Sequence, residues 1–382
     1  MELIGKLFSD GMIYLIIYLW LFLLAFLETC KDTSRYKQVF AWISFVLLTL
    51  LTGLRWETGT DWEAYFNLFD TLELDWTFLM NIYAFDLGYV VFNALVRLFT
   101  HNYTIFLLID SFLALGILFS FLRKYSPNPN ISFFIFYNAF FVSQFMGSNR
   151  RMISMAAVLF LFVSVFQRRT KVYFVWQTLA FLFHRTAFMA AVTWLVPLKR
   201  FTEKKIGLLL GSALVIGVFE LPYKLIGFLG SLLAVFSSAP LIEKLIFYSD
   251  PQHNLEVISE NINPVVLMTL SVIKRSIFLL FYLIVIRRNN RTLDPLTDFF
   301  FNIYIVGFTL YMLMNGSPIF QMISTYFTFI EIALIGRIWV YTDTGARIIF
   351  LCILLIYGFF QLLSALNAYP ELYMPYRFFF DK

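Results

Sequence analysis

Residues 12–27 read MIYLIIYLWLFLLAFL, a run of sixteen residues without a single charge. A helix that crosses a bilayer needs about 20 predominantly apolar residues, so this run is nearly long enough by itself. Similar runs recur at 38–54, 104–122, 131–146, 152–166, 172–198, 206–219, 222–236, 264–286, 298–314, 318–340 and 347–366. Because lipid cannot pair with backbone N–H and C=O groups, such runs form helices. The sequence therefore predicts an all-α polytopic membrane protein with about twelve transmembrane helices.

The composition excludes a soluble globular protein. Of 382 residues, 60% are hydrophobic and only 14% are charged, whereas soluble domains carry about 25% charged residues. Aromatic residues reach 20%, and Trp and Tyr favour the two interfaces between membrane and water. No soluble segment, repeat or low-complexity stretch interrupts the chain. We therefore expect residues 1–382 to form a single integral membrane domain.

The loops differ in charge, which predicts the orientation of the chain. Cytoplasmic loops of membrane proteins are enriched in Lys and Arg. Clusters of these residues follow the first, third, fifth and ninth runs, at Lys31, Arg35 and Lys37, at Arg123 and Lys124, at Arg168, Arg169 and Lys171, and at Arg287, Arg288 and Arg291. The segments 55–103 and 237–263 are acidic instead, with seven acidic residues against two arginines and four against one lysine. We expect these two segments to be outward-facing (periplasmic or extracellular) loops.

The basic segment 199–205 breaks this pattern if the run 172–198 is one helix, because the segment would then lie outside. If the chain turns at His184-Arg185, the run becomes two half-spans and the basic segment returns to the cytoplasmic side. The run 222–236 must then be re-entrant or interfacial. We favour the turn, since irregular backbone at membrane depth usually lines a cavity.

The first candidate site is RWETGTDWEAY, residues 55–65, where the second run ends. Gly59 and Thr60 favour a turn, and Asp61 can cap a helix that begins at Trp62. Two interpretations stay open. One is an interfacial arginine beside a turn and a belt of Trp residues, and the other is an Arg55 and Asp61 pair at the mouth of a cavity.

Two further candidate sites contain arginine at positions where a charged side chain is unusual. Arg150 and Arg151 join two runs on the face opposite to the basic loops. Their guanidinium groups match phosphate oxygens in paired hydrogen bonds, although arginines at an interface can also snorkel. His184-Arg185 lies within an apolar run, where ionisable residues normally face a wet cavity or a partner. His184 can accept a proton from a hydroxyl group near neutral pH, which makes it the strongest catalytic candidate.

Other charged residues extend this set. Lys274-Arg275 interrupts the run 264–286 near its middle, and Arg377 follows the last run in an aromatic tail. Arginines gathered in the outer half of the membrane, with one histidine and one aspartate, suit the pyrophosphate group of a lipid carrier. The three histidines and two cysteines have no metal-ligand spacing, so we expect no metal site.

Five motifs resemble one known family. GLRWETGTDWEAY (residues 53–65) is similar to the Gly-Leu-Arg…Gly-Thr-Asp signature of the EpsG family, a branch of the Wzy-type polysaccharide polymerases. Further matches follow in the family's order, at SNRRMISMA (148–156), YFVWQTLAFLFHRTAF (173–188), FQMISTYF (320–327) and MPYR (374–377). Ser148, Met152 and Met322 stand where the family usually has Asn, Gln and Arg. Because position 322 is Met here and not Arg, Lys274-Arg275 is the alternative source of positive charge for the phosphate.

The resemblance implies a GT-C-like helical fold, a location in the bacterial inner (plasma) membrane, and no metal or cofactor. Such an enzyme joins undecaprenyl-pyrophosphate-linked oligosaccharide repeat units into surface polysaccharide (O-antigen, capsule or exopolysaccharide) by glycosyl transfer at the outer face. Its partners are the lipid-linked oligosaccharide, the lipid bilayer, a chain-length regulator and a flippase, with no role for nucleic acid. In this role His184 or Asp61 deprotonates the acceptor hydroxyl; we favour His184, with Asp61 holding the acceptor or Arg55. The predicted pyrophosphate ligands are Arg55, Arg150, Arg151, Arg185, Arg275 and Arg377.

Three alternatives share part of these observations. An O-antigen-ligase-like glycosyltransferase has the same fold and chemistry but transfers polymer to a different acceptor. A non-enzymatic flippase for the same lipid predicts two pseudo-symmetric halves, which the sequence does not contain. A lipid-modifying acyltransferase also needs an intramembrane histidine, but it has no evident need for several separate arginine positions.

Overall fold

The computed structural model describes residues 2–30, 35–73, 85–234, 264–290, 292–315 and 318–381. The chain divides into two compact units. Unit 1 comprises Met1–Ala191 and Ile332–Lys382, and unit 2 comprises Val192–Glu331. The predicted outward loop 237–263 lies outside the described residues.

Helices make up most of the described chain. The helices before residue 184 are α1 (Glu2–Asp10), α2 (Met12–Cys30), α3 (Lys37–Gly53), α4 (Trp62–Thr71), α5 (Leu87–Arg97), α6 (Tyr103–Tyr125), α7 (Pro129–Phe136), α8 (Asn149–Phe166) and α9 (Thr170–Phe183). Those after it are α10 (Glu203–Val218), α11 (Leu221–Ala234), α12 (Pro264–Arg288), α13 (Pro295–Leu313), α14 (Pro318–Thr328), α15 (Glu331–Ile338), α16 (Thr344–Asn367) and α17 (Pro370–Tyr373). A π-helix, Tyr137–Met146, continues α7, and 3₁₀ helices cover Arg185–Leu195 and Trp339–Tyr341. The strands in the described residues are β1 (Arg55–Trp56) and β2 (Arg377–Phe378).

Six segments of the described chain are long and apolar enough to cross a membrane. They are Met12–Thr29, Tyr103–Tyr125, Asn149–Phe166, Pro295–Leu313, Phe320–Tyr341 and Thr344–Asn367. Each predicted apolar run coincides with at least one helix, although several of these helices are shorter. The prediction of an all-α polytopic membrane protein is confirmed. The count of about twelve spans and the GT-C-like arrangement stay predictions.

The run 172–198 is not one helix. α9 ends at Phe183, and His184 has an extended backbone conformation with φ −155° and ψ 111°. The next backbone N–H, that of Arg185, donates to the Asp86 carboxylate at 3.3 Å instead of continuing the helix. The helix therefore breaks at His184-Arg185, and a carboxylate 99 residues earlier in the chain helps to hold the break. The division of this run into two half-spans stays a prediction.

Basic segments meet at one end of unit 1. Nζ of Lys37 at the start of α3 donates to the carbonyl of Pro127, 3.0 Å away, so the segments that follow α2 and α6 lie together. The chain then crosses from Pro129 through the π-helix to Met146, so α8 begins at the other end. Arg150 and Arg151 are therefore remote from the basic segments. The outward orientation of their end, which the positive-inside rule predicts, stays a prediction.

In unit 2, α10 and α14 both pack against α13. Asn302 of α13 is fully buried and holds the basic segment before α10. Its Nδ2 donates to the carbonyls of Pro197 (2.7 Å) and Lys199 (2.9 Å), and its Oδ1 accepts the backbone N–H of Phe201 (2.8 Å). At the same end, Arg287 of α12 donates to the Glu203 carboxylate. The basic segment before α10 and the end of α12 thus share one end of unit 2.

Candidate functional site

The C-terminal tail clamps the loop that follows β1. β1 pairs antiparallel with β2, and the N–H of Gly59 donates to the carbonyl of Leu372, 2.9 Å away. Gly59 has φ +117°, and a Cβ atom there would lie 2.5 Å from the carbonyl oxygen of Met146. Glycine is therefore required at this position, because other residues meet both backbone strain and a clash.

Arg55 is buried at the base of this loop, with only 1% of its surface exposed. Its Nη1 donates to the carbonyl of Thr52 (2.6 Å) and its Nη2 to Oδ1 of Asn149 (2.5 Å). Asn149 is the first residue of α8, and its amide group donates to the hydroxyl of Tyr89 (3.4 Å). The Arg55 guanidinium therefore connects the loop to the start of α8, one residue before Arg150.

Asp86 brings two of the predicted arginines together. Its carboxylate accepts from Nη1 of Arg150 (3.0 Å) and from Nε of Arg185 (2.8 Å), as well as from the backbone of Arg185. Asp86 is only 5% exposed, whereas the Arg150 and Arg185 side chains are 24% and 54% exposed. One buried negative charge thus holds two guanidinium groups that still reach the surface of unit 1.

A close approach between α5 and α9 makes this contact possible. Gly88 lies in the first turn of α5, against Leu182 near the end of α9. A Cβ atom on Gly88 would lie 2.7 Å from Cβ and 2.8 Å from the carbonyl oxygen of Leu182. Any larger side chain at this position would push the two helices apart. The distance between Asp86 and Arg185 therefore depends on Gly88.

His184 lies in the break after α9, beside this cluster. Its Nδ1 is 2.6 Å from the hydroxyl of Thr186, which fixes the orientation of the ring. Arg151, Arg150 and Arg185 all act electrostatically on the imidazole. Burial and these three guanidinium groups both disfavour the protonated ring, so the neutral imidazole is preferred. The same surroundings weaken the imidazole as a base, and a bound anion that offsets the positive charge would restore its ability to accept a proton.

Asp61 approaches the same arginines from the loop after β1. It stands at the N-cap position of α4, as predicted, but its side chain makes no capping hydrogen bond. Its Oδ2 lies 3.5 Å from the hydroxyl of Tyr65, which in turn is 3.0 Å from Oγ of Ser148. Burial raises the pKa of Asp61 above its usual value, while Arg150, the Tyr65 hydroxyl and Arg151 act in the opposite direction.

The structure therefore brings together five predicted site residues and one further carboxylate: Asp61, Arg150, Arg151, His184 and Arg185, with Asp86. Arg150 and Arg151 act electrostatically on both Asp61 and His184, and Asp86 joins Arg150 to Arg185. This cluster lies within unit 1, at the end where α8 begins and α9 ends. It combines positive charge with two groups that can exchange a proton.

A model of the EpsG family matches residues 38–378 of this sequence, nearly the whole chain. The chain belongs to the EpsG family. This family is polymerase-like and of the Wzy type, and the matched region contains all five motifs that carried the resemblance. No curated protein and no solved structure matches the chain.

Besides Arg55, two of the predicted pyrophosphate ligands of this EpsG-family chain do not belong to the cluster. Arg377 in β2 pairs with Glu57, and both side chains are about half exposed. Arg275 belongs to unit 2, where its guanidinium lies 3.4 Å from the centre of the Tyr311 ring. Anion binding by Arg275 and Arg377 stays a prediction.

Asp86 is the residue that the sequence does not single out. It is one of seven acidic residues in the segment 55–103, and no motif of the EpsG resemblance contains it. The available signal is weak: Asp86 stands directly before a helix and between two apolar residues, Phe85 and Leu87. Its arginine partners are 64 and 99 residues away in the chain, so no local pattern predicts the contacts.

Proposed function

We propose that this chain polymerises undecaprenyl-pyrophosphate-linked oligosaccharide repeat units, as a metal-independent glycosyltransferase at the outer face of the bacterial inner membrane. In this proposal the fold is GT-C-like, with about twelve spans. Membership of the EpsG family supports a polymerase-type role in exopolysaccharide synthesis. The observation that carries the proposal is the convergence of Arg150 and Arg185 on Asp86, beside His184. Transfer from a pyrophosphate donor needs positive charge for the leaving group and a base for the acceptor.

In this proposal, Arg150, Arg151 and Arg185 bind the pyrophosphate. A guanidinium group carries five N–H donors, so the bond of an arginine to Asp86 leaves donors that suit phosphate oxygens. Asp86 offsets part of the positive charge in the absence of substrate and holds the guanidinium groups in place. Arg55 acts through Asn149, which orients the start of α8.

The reaction transfers the growing chain from its carrier to the sugar of an incoming lipid-linked unit. The acceptor hydroxyl oxygen forms a bond to the anomeric carbon, and the bond from that carbon to the pyrophosphate oxygen breaks. The pyrophosphate leaves with the electron pair, stabilised by the arginines. The hydroxyl proton passes to His184, while Asp61 holds the acceptor.

The first test replaces the proposed base. In a strain that lacks the chromosomal gene, His184→Gln should lower the amount of long-chain polysaccharide about 100-fold or more, since general base catalysis contributes that much. His101→Gln is the matched control, because His101 is exposed and precedes α6. Gel profiles of surface polysaccharide measure the result. Long chains at the wild-type level with His184→Gln would contradict the assigned role.

Deletion of the gene separates the proposed function from its alternatives. Loss of a polymerase leaves chains of a single repeat unit at the surface. Loss of a ligase leaves long chains on the undecaprenyl carrier, and loss of a flippase leaves no surface product. The proposal therefore fails if the deletion strain accumulates carrier-linked polymer or has no band.

A further inference from the structure

A cavity of about 440 Å³ lies at the basic end of unit 2. It opens between the start of α10, the end of α12 and the start of α13. Its lining includes Lys199, Arg200, Lys204, Leu283, Ile286 and Phe301. It therefore combines positive side chains with an apolar wall.

The positive side of the cavity is built on a fixed segment. Asn302 binds the carbonyls of Pro197 and Lys199 and the N–H of Phe201, so the backbone that carries Lys199 and Arg200 is held on both sides. Phe201 is itself buried. The basic residues at this end thus project from an ordered backbone.

The charges around the cavity do not cancel. Asp298 pairs with Arg200 at 2.7 Å, and Glu203 pairs with Arg287 at 2.6 Å, so both acidic residues of the lining already have a cationic partner. Lys199 and Lys204 make no ion pair among the described residues. Two positive charges in the lining are therefore available to an anion.

The opposite wall is apolar. Ile286 and Phe301 are buried, and Leu283 is half-buried. An inorganic anion makes no favourable contact with such a wall. An amphiphile, which carries a phosphate group next to hydrocarbon, can contact the lysines with its phosphate and the apolar wall with its hydrocarbon. Basic pockets between membrane helices on the cytoplasmic side bind the head groups of anionic lipids. The positive-inside rule places the basic segments 199–205 and 287–291 on that side.

We propose that this cavity binds the head group of an anionic phospholipid from the cytoplasmic leaflet. Lys199 and Lys204 contact the phosphate, and the apolar wall contacts the first methylene groups of the acyl chains. This binding is separate from the proposed glycosyl transfer, because every residue that it uses belongs to unit 2 and none belongs to the Asp86 cluster.

The test measures lipid binding to the purified full-length protein in detergent. Native mass spectrometry with dioleoyl phosphatidylglycerol gives the apparent dissociation constant. Removal of two lysines near a lipid phosphate should weaken binding of this lipid about 30-fold in Lys199→Gln/Lys204→Gln. The matched control, Lys171→Gln/Lys224→Gln, also removes two exposed lysines but leaves the cavity intact, and it should stay within about twofold of wild type.

Binding measurements with other ligands identify the chemical class that the cavity binds. Dioleoyl phosphatidylcholine has no net charge on its head group. It should therefore bind to wild type as weakly as phosphatidylglycerol binds to Lys199→Gln/Lys204→Gln. Inorganic phosphate at the same concentration should not displace phosphatidylglycerol. Displacement by phosphate, equal binding of phosphatidylcholine, or unchanged binding by Lys199→Gln/Lys204→Gln would each overturn the proposal. The charge-preserving variant Lys199→Arg/Lys204→Arg should bind as wild type does, which separates lost charge from a folding defect.

Discussion

The arginines near the start of α8 in unit 1 lie in two different environments. Arg55 is 1% exposed, and its Nη1 and Nη2 donate to neutral oxygens of the protein. Arg150 and Arg185 are partly exposed and share a carboxylate, Asp86. An arginine whose terminal nitrogens are used by the fold supports structure, whereas an arginine held by a carboxylate at the surface can exchange that partner for a phosphate. Residue type alone therefore does not identify a phosphate ligand.

The largest effect on stability is expected at Arg55. Arg55→Met removes the donors to the Thr52 carbonyl and to Asn149 Oδ1, and both acceptors are then buried without a partner. Unsatisfied buried groups of this kind cost about 1–3 kcal/mol each. We expect the free energy of unfolding to fall by about 3 kcal/mol. The loss of folded protein with heating, followed by size-exclusion chromatography in detergent, measures the change.

The control for Arg55 keeps the charge and changes the geometry. Arg55→Lys can satisfy one of the two acceptors, so its stability should lie between those of wild type and Arg55→Met. If Arg55→Met unfolds at the wild-type temperature and only polymer synthesis is lost, Arg55 is a ligand, as the sequence predicts, and the distinction between the two environments fails.

The second effect is expected on activity, at Asp86. Asp86→Asn removes the negative charge that holds Arg150 and Arg185, and the new NH₂ group would face a guanidinium. We expect long-chain polymer to fall about tenfold to a hundredfold, because misplaced binding groups cost about that much in rate. Asp70→Asn is the control, since Asp70 is an exposed residue of α4. Gel profiles of the complemented deletion strain give the measurement.

If Asp86 had only a structural role, a different result would be expected. Asp86→Glu keeps the charge and should recover part of the polymer, whereas a simple packing requirement would make the longer side chain as harmful as the amide. Asp86→Asn protein with a wild-type unfolding temperature and wild-type chain length would remove Asp86 from the proposed site.

Most of the fold and part of the site were accessible from the sequence. Apolar runs predict helices because lipid leaves the backbone no other partner, and the charge of segment 199–205 predicts the turn at His184. The arginines were identified because charge in an apolar run is rare and costly. The burial of Arg55 and the role of Asp86 were not predicted. Both depend on contacts across many residues, such as the 94 residues that separate Arg55 from Asn149, and periodicity carries no information on such contacts.

The smallest effect is expected at Arg377, in the strand next to Arg55. Its pair with Glu57 is about half exposed on both sides, and exposed ion pairs contribute only about 0–1 kcal/mol. Arg377→Gln should therefore change the free energy of unfolding by less than about 1 kcal/mol, and Glu57→Gln, which removes the other partner, should have the same small effect. Thermal unfolding in detergent at low and high salt checks this, because salt screens an exposed pair and should abolish any difference.

Polymer length separates the two remaining roles of Arg377. If Arg377→Gln shortens the polymer and Glu57→Gln does not, Arg377 binds an anion from an exposed strand. In that case exposure near the cluster, rather than attachment to Asp86, is what distinguishes the ligand arginines from Arg55.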